Sequence, residues 1–247
     1  MHATVNGWLS SLPIAHRGLH DAQLPENSLP AFDMAAVKGY GIELDIHLTR
    51  DGQLAVFHDD NTLRMTGRGM AVRDSDSAQL SELRLKGTSY GIPLLRDVFQ
   101  AVAGRVPILI EVKAGSAPEK ISPVLVTELA RYEGTVAVQS FDPRIVLWFK
   151  RNAPNIVRGQ LGSSFKKKRM SVAERLLVRS MLSNLATRPQ FIAFDVNDVP
   201  NVAVELWRRV LRAELLLWTV RTPEQAQTAT RLGAGMIFES IVPALHN

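Results

Sequence analysis

Two histidines, an arginine, a lysine and three carboxylates carry the chemistry this sequence can offer. They lie in Ile14-Ala15-His16-Arg17-Gly18, Glu43-Leu44-Asp45, Phe57-His58-Asp59 and Glu111-Val112-Lys113, each beside a short apolar run. Glu43, Asp45 and His47 stand two residues apart on one extended segment, so their side chains point the same way. Glu111 and Lys113 repeat that spacing on a later segment. In a barrel of strands alternate residues face inward, so a carboxylate pair on one strand and a distant glutamate can converge. Three carboxylates without a thiol make a hard oxygen set, suited to Mg²⁺, Ca²⁺ or Mn²⁺. The plainer reading of Glu43 and Asp45 is an exposed strand edge balancing nearby cations. Flanking Ile42, Leu44 and Ile46 argue against it, because they bury the opposite face.

A lone histidine at a strand end is commonly a satisfied structural residue. Two of them, His16 and His58, each next to a charged residue and close to a carboxylate pair, fit proton transfer better. Phosphodiester cleavage needs both directions of transfer: activation of a nucleophile and protonation of a leaving alkoxide. Arg17 and Lys113 can hold an anionic phosphate, the arginine through paired donors.

The elements that must position these groups alternate between short apolar runs and amphipathic segments. Strands are expected at Pro13–Ala15, Ile42–Leu48 and, after an Asp51-Gly52 turn, Gln53–Phe57. Ser28 is placed to cap a helix running to about Lys38, with Pro30 in its first turn and Gly39 at its end. Periodicity is poor from Asn61 to Ile92, which reads as an excursion. Beyond it, apolar strands near 107–112, 136–139, 156–160, 191–194, 215–219 and 236–238 alternate with helices, among them Pro143–Asn152 and one within Lys167–Leu185. The fold class expected is α/β: a TIM (β/α)₈ barrel forming one domain over residues 1–247, with a small insertion after the second barrel strand at about 49–92. A doubly wound open sheet is the alternative. Arg17, Asp45, Lys113, Gln139 and Thr219 cluster at strand C-terminal ends, where a barrel builds its site, and so favour the barrel.

Bulk properties narrow the setting. The 247 residues include 46% hydrophobic and 21% charged residues, enough for a full core. No cysteine occurs, so disulfides and thiolate metal sites are excluded and a cytoplasmic enzyme is the simplest expectation. The first residues lack a secretory pattern, and no run of apolar residues is long enough to span a bilayer. A net charge of +5 would favour polyanions or anionic membranes, and Lys166-Lys167-Lys168-Arg169 supplies much of it. With Leu176, Leu177, Met181, Leu182 and Leu185, that run reads as a barrel helix with a solvated basic face; the sharper reading is a weak membrane-surface contact through Lys166–Leu185.

His16-Arg17-Gly18, Pro25-Glu26-Asn27-Ser28, Ala31-Phe32, Glu43-Leu44-Asp45, Thr49-Arg50-Asp51-Gly52, His58-Asp59, Arg64-Met65-Thr66-Gly67, Ile92-Pro93-Leu94-Leu95, Glu111-Val112-Lys113 and Trp218-Thr219-Val220 resemble, in order and spacing, the glycerophosphodiester phosphodiesterase family. The resemblance implies a TIM barrel in which His16 and His58 form the general acid/base pair. It implies one divalent cation, Mg²⁺ or Ca²⁺ with Mn²⁺ as a further option, on Glu43, Asp45 and Glu111. Arg17 and Lys113 would hold the phosphate, and Gln139, Phe141 and Trp218 would line the substrate pocket. The products would be glycerol 3-phosphate and an alcohol, with a cyclic phosphate formed on the way if the substrate's own hydroxyl attacks. Asn27 would orient a catalytic group or ligate the metal, or else serve only as a turn residue; His47 is expected to be an interior neighbour. Arg221 stands where the family commonly has Asn, and Phe238-Glu239-Ser240 where it commonly ends in Thr-Asp. These departures bear on the alcohol side of the pocket. The alternatives are a lysophospholipase D or phospholipase D-like lyase and, more remotely, a non-catalytic binder of phosphorylated ligands or nucleic acid. The last would be marked by loss of a histidine or a metal carboxylate, and none is lost.

Overall fold

The computed structural model describes residues 7–115, 117–163 and 181–245. Contacts divide the chain into two compact units: Ile14–Val136, and a second in which α1 (Trp8–Ser11) joins the residues from Ala137 onward.

The first unit is built around β2 (Gly41–Leu48), which lies parallel to β1 (Ile14–Ala15) and to β4 (Ile108–Val112). Ile42, Leu44 and Ile46 give β2 a fully buried apolar face, while Glu43, Asp45 and His47 occupy the opposite face and are just as buried. The expected turn at Asp51-Gly52 returns the chain into β3 (Leu54–Val56), antiparallel to β2 with Ile46 opposite Val56. The Phe57 N–H then donates to the Asp45 carbonyl at 3.0 Å, which delivers His58 beside the middle of β2. Between β1 and β2, α2 (Leu29–Val37) starts as expected, with the Ser28 hydroxyl accepting the Ala31 N–H at 3.4 Å.

The excursion is real and has its own small core. Here α3 (Leu63–Thr66), α4 (Ser77–Ser81) and single turns at Val72–Asp74 and Leu85–Gly87 surround Phe57, Met65, Val72, Leu80, Leu83, Leu85 and Ile92. Each short element contributes only one or two apolar residues, which is why no period shows in the sequence. The chain continues through α5 (Leu95–Val102), β4 and α6 (Pro118–Leu129).

In the second unit β5 (Val136–Ser140), β6 (Val157–Gly162), β7 (Phe191–Asp195), β8 (Glu214–Val220) and β9 (Gly235–Phe238) pair in parallel, each with the next. They are separated by α7 (Pro143–Asn152), α8 (Asn184–Thr187), α9 (Val202–Leu211) and α10 (Pro223–Arg231). Asp142, Asn201 and Thr222 cap α7, α9 and α10 with their side chains. Among the described residues eight strands run parallel, three in the first unit and five in the second, and the fold class is the expected TIM (β/α)₈ barrel.

One expected helix falls largely outside the described residues. Residues 164–180, including Lys166-Lys167-Lys168-Arg169, Leu176 and Leu177, lie outside the described residues. The helix expected within Lys167–Leu185 therefore lies mostly outside the described residues; at the end of that range Met181–Ser183 form a turn, followed by α8. Met181 has a left-handed φ of 51°, which a continuing right-handed helix cannot accommodate. It is buried, whereas Leu182 and Leu185 are exposed, so the three share no single stripe. No described helix is long and apolar enough to cross a membrane.

Gly18 shows how tightly the first unit holds the loop after β1. Its φ is +81°, and a Cβ there would come within 2.9 Å of the Ala31 carbonyl carbon on α2. Gly18→Ala should therefore destabilise the protein by about 1–3 kcal/mol, through strain and overpacking together. Urea denaturation measures this, and an unchanged midpoint would contradict so close an approach.

Candidate active site

The parallel register of β2 and β4 places Asp45 directly beside Glu111. With Glu43, two residues earlier on β2, these side chains bring carboxylate oxygens within 4.8 Å of one another, all three buried. Sequence spacing pointed to this convergence; the register is what produces it.

Groups from separate parts of the first unit neutralise the cluster. Lys113 Nζ lies 2.7 Å from Asp45 Oδ1 and 2.6 Å from Glu111 Oε1. The Arg17 backbone N–H donates to Glu43 Oε2 at 3.0 Å, and its guanidinium Nε lies 3.4 Å from Asp45 Oδ2. Asn27 is buried in the turn before α2 and donates from Nδ2 to Asp45 Oδ2 at 2.9 Å; its Oδ1 accepts the Asp45 N–H at 3.4 Å. Asn27 thus sits in the turn and also orients the Asp45 side chain.

The electrostatics follow from this arrangement. Burial, with Asp45 and Glu111 adjacent, pushes the Glu43 carboxyl well above the usual range. Burial and Asp45 push Glu111 up to about 7 against the pull of Lys113. Burial acts on Asp45 in the same direction, but Lys113, His58 and Arg17 outweigh it and hold that carboxyl well below its usual value. Two carboxyls held high by burial and by the neighbouring Asp45, despite Lys113 and Arg17, mark a site still short of positive charge. Three hard oxygen donors in that condition fit a divalent cation of the Mg²⁺, Ca²⁺ or Mn²⁺ kind.

His58 stands at the rim, about one-third exposed, with Nδ1 2.7 Å from Asp59 Oδ1. Arg64 and His58 hold the Asp59 carboxyl below its usual range against burial, so it is an ionised acceptor and the shared hydrogen belongs to His58 Nδ1. That leaves Nε2 for other work. Burial lowers the His58 imidazole, and Lys113 and Arg17 add to this against Asp45, so the ring is neutral near pH 7. His16 follows β1 directly, half-buried, one residue before Arg17. His47 points its Nε2 at the His58 carbonyl, 3.3 Å away, and takes no part in the acidic cluster, as expected of an interior neighbour.

Two members of this neighbourhood had no assigned role in the sequence reading, although their motifs were noted. Glu26 Oε1 accepts from Arg17 Nη1 at 2.8 Å, and Arg64 of α3 bonds both Glu26 and Asp59. Their separation in sequence gave no signal for the contact.

The remaining expected residues belong to the second unit. Gln139 is buried near the end of β5, and Phe141 meets Trp218 of β8 edge-to-face at 5.6 Å. Gln139 Oε1 and Trp218 Nε1 are buried with no hydrogen-bond partner among the described residues. The two departures from the family pattern complement each other: Arg221 Nη2 pairs with Glu239 Oε2 at 2.9 Å, just past the ends of β8 and β9.

Comparison with known proteins gives a consistent result. Residues 16–239 match the model of the Glycerophosphoryl diester phosphodiesterase family. A glycerophosphodiester phosphodiesterase of Caldanaerobacter subterraneus subsp. tengcongensis is 33% identical over 165 residues, which cover 62% of this chain and 67% of that protein. A lysophospholipase D of Rattus norvegicus is 36% identical over 116 residues, covering 42% of this chain and 36% of that protein. The chain thus spans about two thirds or less of the length of these curated relatives. In fold it is similar to a phosphodiesterase of Oleispira antarctica solved with the product sn-glycerol-3-phosphate, with a TM-score of 0.76 over 92% of each chain at 22% identity.

The raised glutamates set a pH signature. A carboxyl raised in the folded state lends stability that is full below its ordinary value of 4.5 and is lost as pH rises through its folded value, about 7 for Glu111. In chelator, the melting temperature of the wild type relative to Glu111→Gln should therefore fall between about pH 5 and about pH 8. Added Mn²⁺ should raise the wild-type value more at the higher pH. Differential scanning fluorimetry reads both, and a difference independent of pH would remove the assigned shift.

Proposed function

The chain belongs to the glycerophosphoryl diester phosphodiesterase family, and we propose that it hydrolyses glycerophosphodiesters to glycerol 3-phosphate and an alcohol. The observation that carries this reading is the buried Glu43–Asp45–Glu111 cluster, with Lys113 and Arg17 against it and a neutral, oriented His58 at its rim.

Glu43, Asp45 and Glu111 are the residues that would hold the divalent cation. When bound, such an ion supplies Lewis acidity at the phosphoryl oxygens and favours ionisation of the attacking hydroxyl. Arg17 and Lys113 bind and orient the anionic phosphate, the guanidinium presenting fixed donors and the ammonium a compact charge. His58, neutral and with Nε2 available, takes the proton of the attacking hydroxyl. His16 gives a proton to the departing alkoxide, so that two histidines divide the two transfers; where the substrate's own hydroxyl attacks, water then opens the cyclic phosphate, so the net reaction adds one water across the broken P–O bond. Gln139, Phe141 and Trp218 are assigned to substrate contact: the ring pair offers an apolar wall, and the Gln139 Oε1 and Trp218 Nε1 atoms suit hydroxyl groups.

A second reading is favoured by the lysophospholipase D relative. There the same groups act on a lysophospholipid, or the substrate's own hydroxyl attacks and a cyclic phosphate accumulates.

Metal-stripped protein tested on a panel of glycerophosphodiesters should release glycerol 3-phosphate only after Mg²⁺, Ca²⁺ or Mn²⁺ is restored. Phosphorus NMR separates the readings, because a persistent cyclic phosphate means lyase action. His16→Ala and His58→Ala should each lose about 10²- to 10⁴-fold in turnover with an unchanged circular dichroism spectrum. Wild-type turnover in either variant would end its acid/base assignment.

A further inference from the structure

Arg64 enters from the inserted segment and joins two carboxylates that otherwise have nothing to do with each other. Its Nη2 and Nη1 donate to Glu26 Oε1 at 2.7 Å and Oε2 at 3.0 Å. On the other edge of the guanidinium, Nε donates to Asp59 Oδ2 at 2.6 Å and Nη2 to Asp59 Oδ1 at 3.1 Å. Both contacts are bidentate, the geometry in which a planar fork fixes its partners in direction as well as distance. Glu26 comes from the turn before α2 and Asp59 from the loop after β3, so the clamp ties two loops that no secondary structure connects.

Each carboxylate has a second partner. Glu26 Oε1 also accepts from Arg17 Nη1 at 2.8 Å, and Asp59 Oδ1 accepts from His58 Nδ1 at 2.7 Å. A continuous chain therefore runs Arg17–Glu26–Arg64–Asp59–His58, with Arg64 at its centre. We propose that Arg64 is the positioning residue of this site, fixing the Arg17 guanidinium through Glu26 and the ring and tautomer of His58 through Asp59. The inference rests on the reading of Arg17 and His58 as the phosphate-binding and proton-accepting groups. Glu26 and Asp59 are each mostly buried, with side chains 14% and 24% exposed, while Arg64 is 44% exposed. Removing the guanidinium leaves two ionised groups that water reaches poorly, and each must then draw on its remaining partner. Asp59 would turn toward His58 by a different edge or swing out to solvent, and the imidazole would lose its fixed donor geometry. A lysine cannot stand in, because one ammonium cannot serve both edges of two carboxylates.

The alternative is that Arg64 merely pins the insertion to the rest of the first unit, and a tautomer-sensitive measurement separates the two. In ¹⁵N-labelled protein the His58 ring should appear as the Nδ1–H tautomer, and Arg64→Gln should convert it to a mixture. On glycerophosphodiesters Arg64→Gln should lose about 10- to 100-fold in kcat/KM, and Arg64→Lys should recover little of it. Asp59→Asn provides the second variant: if Arg64 acts on His58 through Asp59, the double variant loses less than the product of the two single losses, the part left over passing through Glu26 to Arg17. An unchanged His58 spectrum in Arg64→Gln, or fully additive losses in turnover, would reduce Arg64 to a structural tie and overturn the proposal. The spectrum needs no substrate, so a protein inactive on every diester defeats the functional reading while leaving this test intact.

Discussion

Three carboxylates taken out of water on one pair of strands set the conditions for everything around them. A buried anion is tolerated only with charge and hydrogen bonds arranged around it, and three together raise the demand steeply. Lys113 answers it from the end of β4, Arg17 from the end of β1, and Asn27 from the turn that opens α2. None of these is a near neighbour of Asp45 in sequence. The acidic cluster is therefore stable only when β1, the Asn27 turn, β2 and β4 are all in place. A stretch that could be the weakest of the core instead makes its parts depend on one another.

The same demand explains how the strand at the centre divides its work. On β2, Ile42, Leu44 and Ile46 contribute burial, and Glu43 and Asp45 contribute charge. An antiparallel return along β3 then brings a histidine to the rim without interrupting the parallel strands. Asp45 and Glu111 lie side by side on β2 and β4, and the Phe57 N–H on the Asp45 carbonyl sets His58 beside the same stretch of β2.

Much of this was legible in the sequence, and the limits are physical. The helix at Pro143–Asn152 was read to the residue, because a proline start and a clear apolar period mark both its ends. Convergence of Glu43, Asp45 and Glu111 followed from two-residue spacing once a parallel sheet was assumed. The region from Asn61 to Ile92 could be recognised only as irregular, since its core is assembled from single residues on short elements. The turn at Met181 has a left-handed backbone, and no glycine or proline announces it. The Glu26–Arg64–Asp59 junction was illegible for another reason. It joins two loops to a four-residue helix, and segments this short carry no periodicity from which a contact can be inferred. The ion pair of Arg221 with Glu239 was likewise visible only as two separate departures, although each accounts for the other.

Asn27 has a consequence for which letters of the amino-acid alphabet its position can accept. Its backbone is left-handed, with φ 55°, a conformation open chiefly to glycine, asparagine and aspartate. Its side chain must donate to one Asp45 oxygen while accepting from the Asp45 amide. Glycine satisfies the backbone and leaves the carboxylate unsupported. Aspartate has the right shape but adds another negative charge to a cluster already short of positive ones. Serine and threonine are shorter and ill suited to the backbone. Conformation and electrostatics, imposed separately, leave one letter at this position.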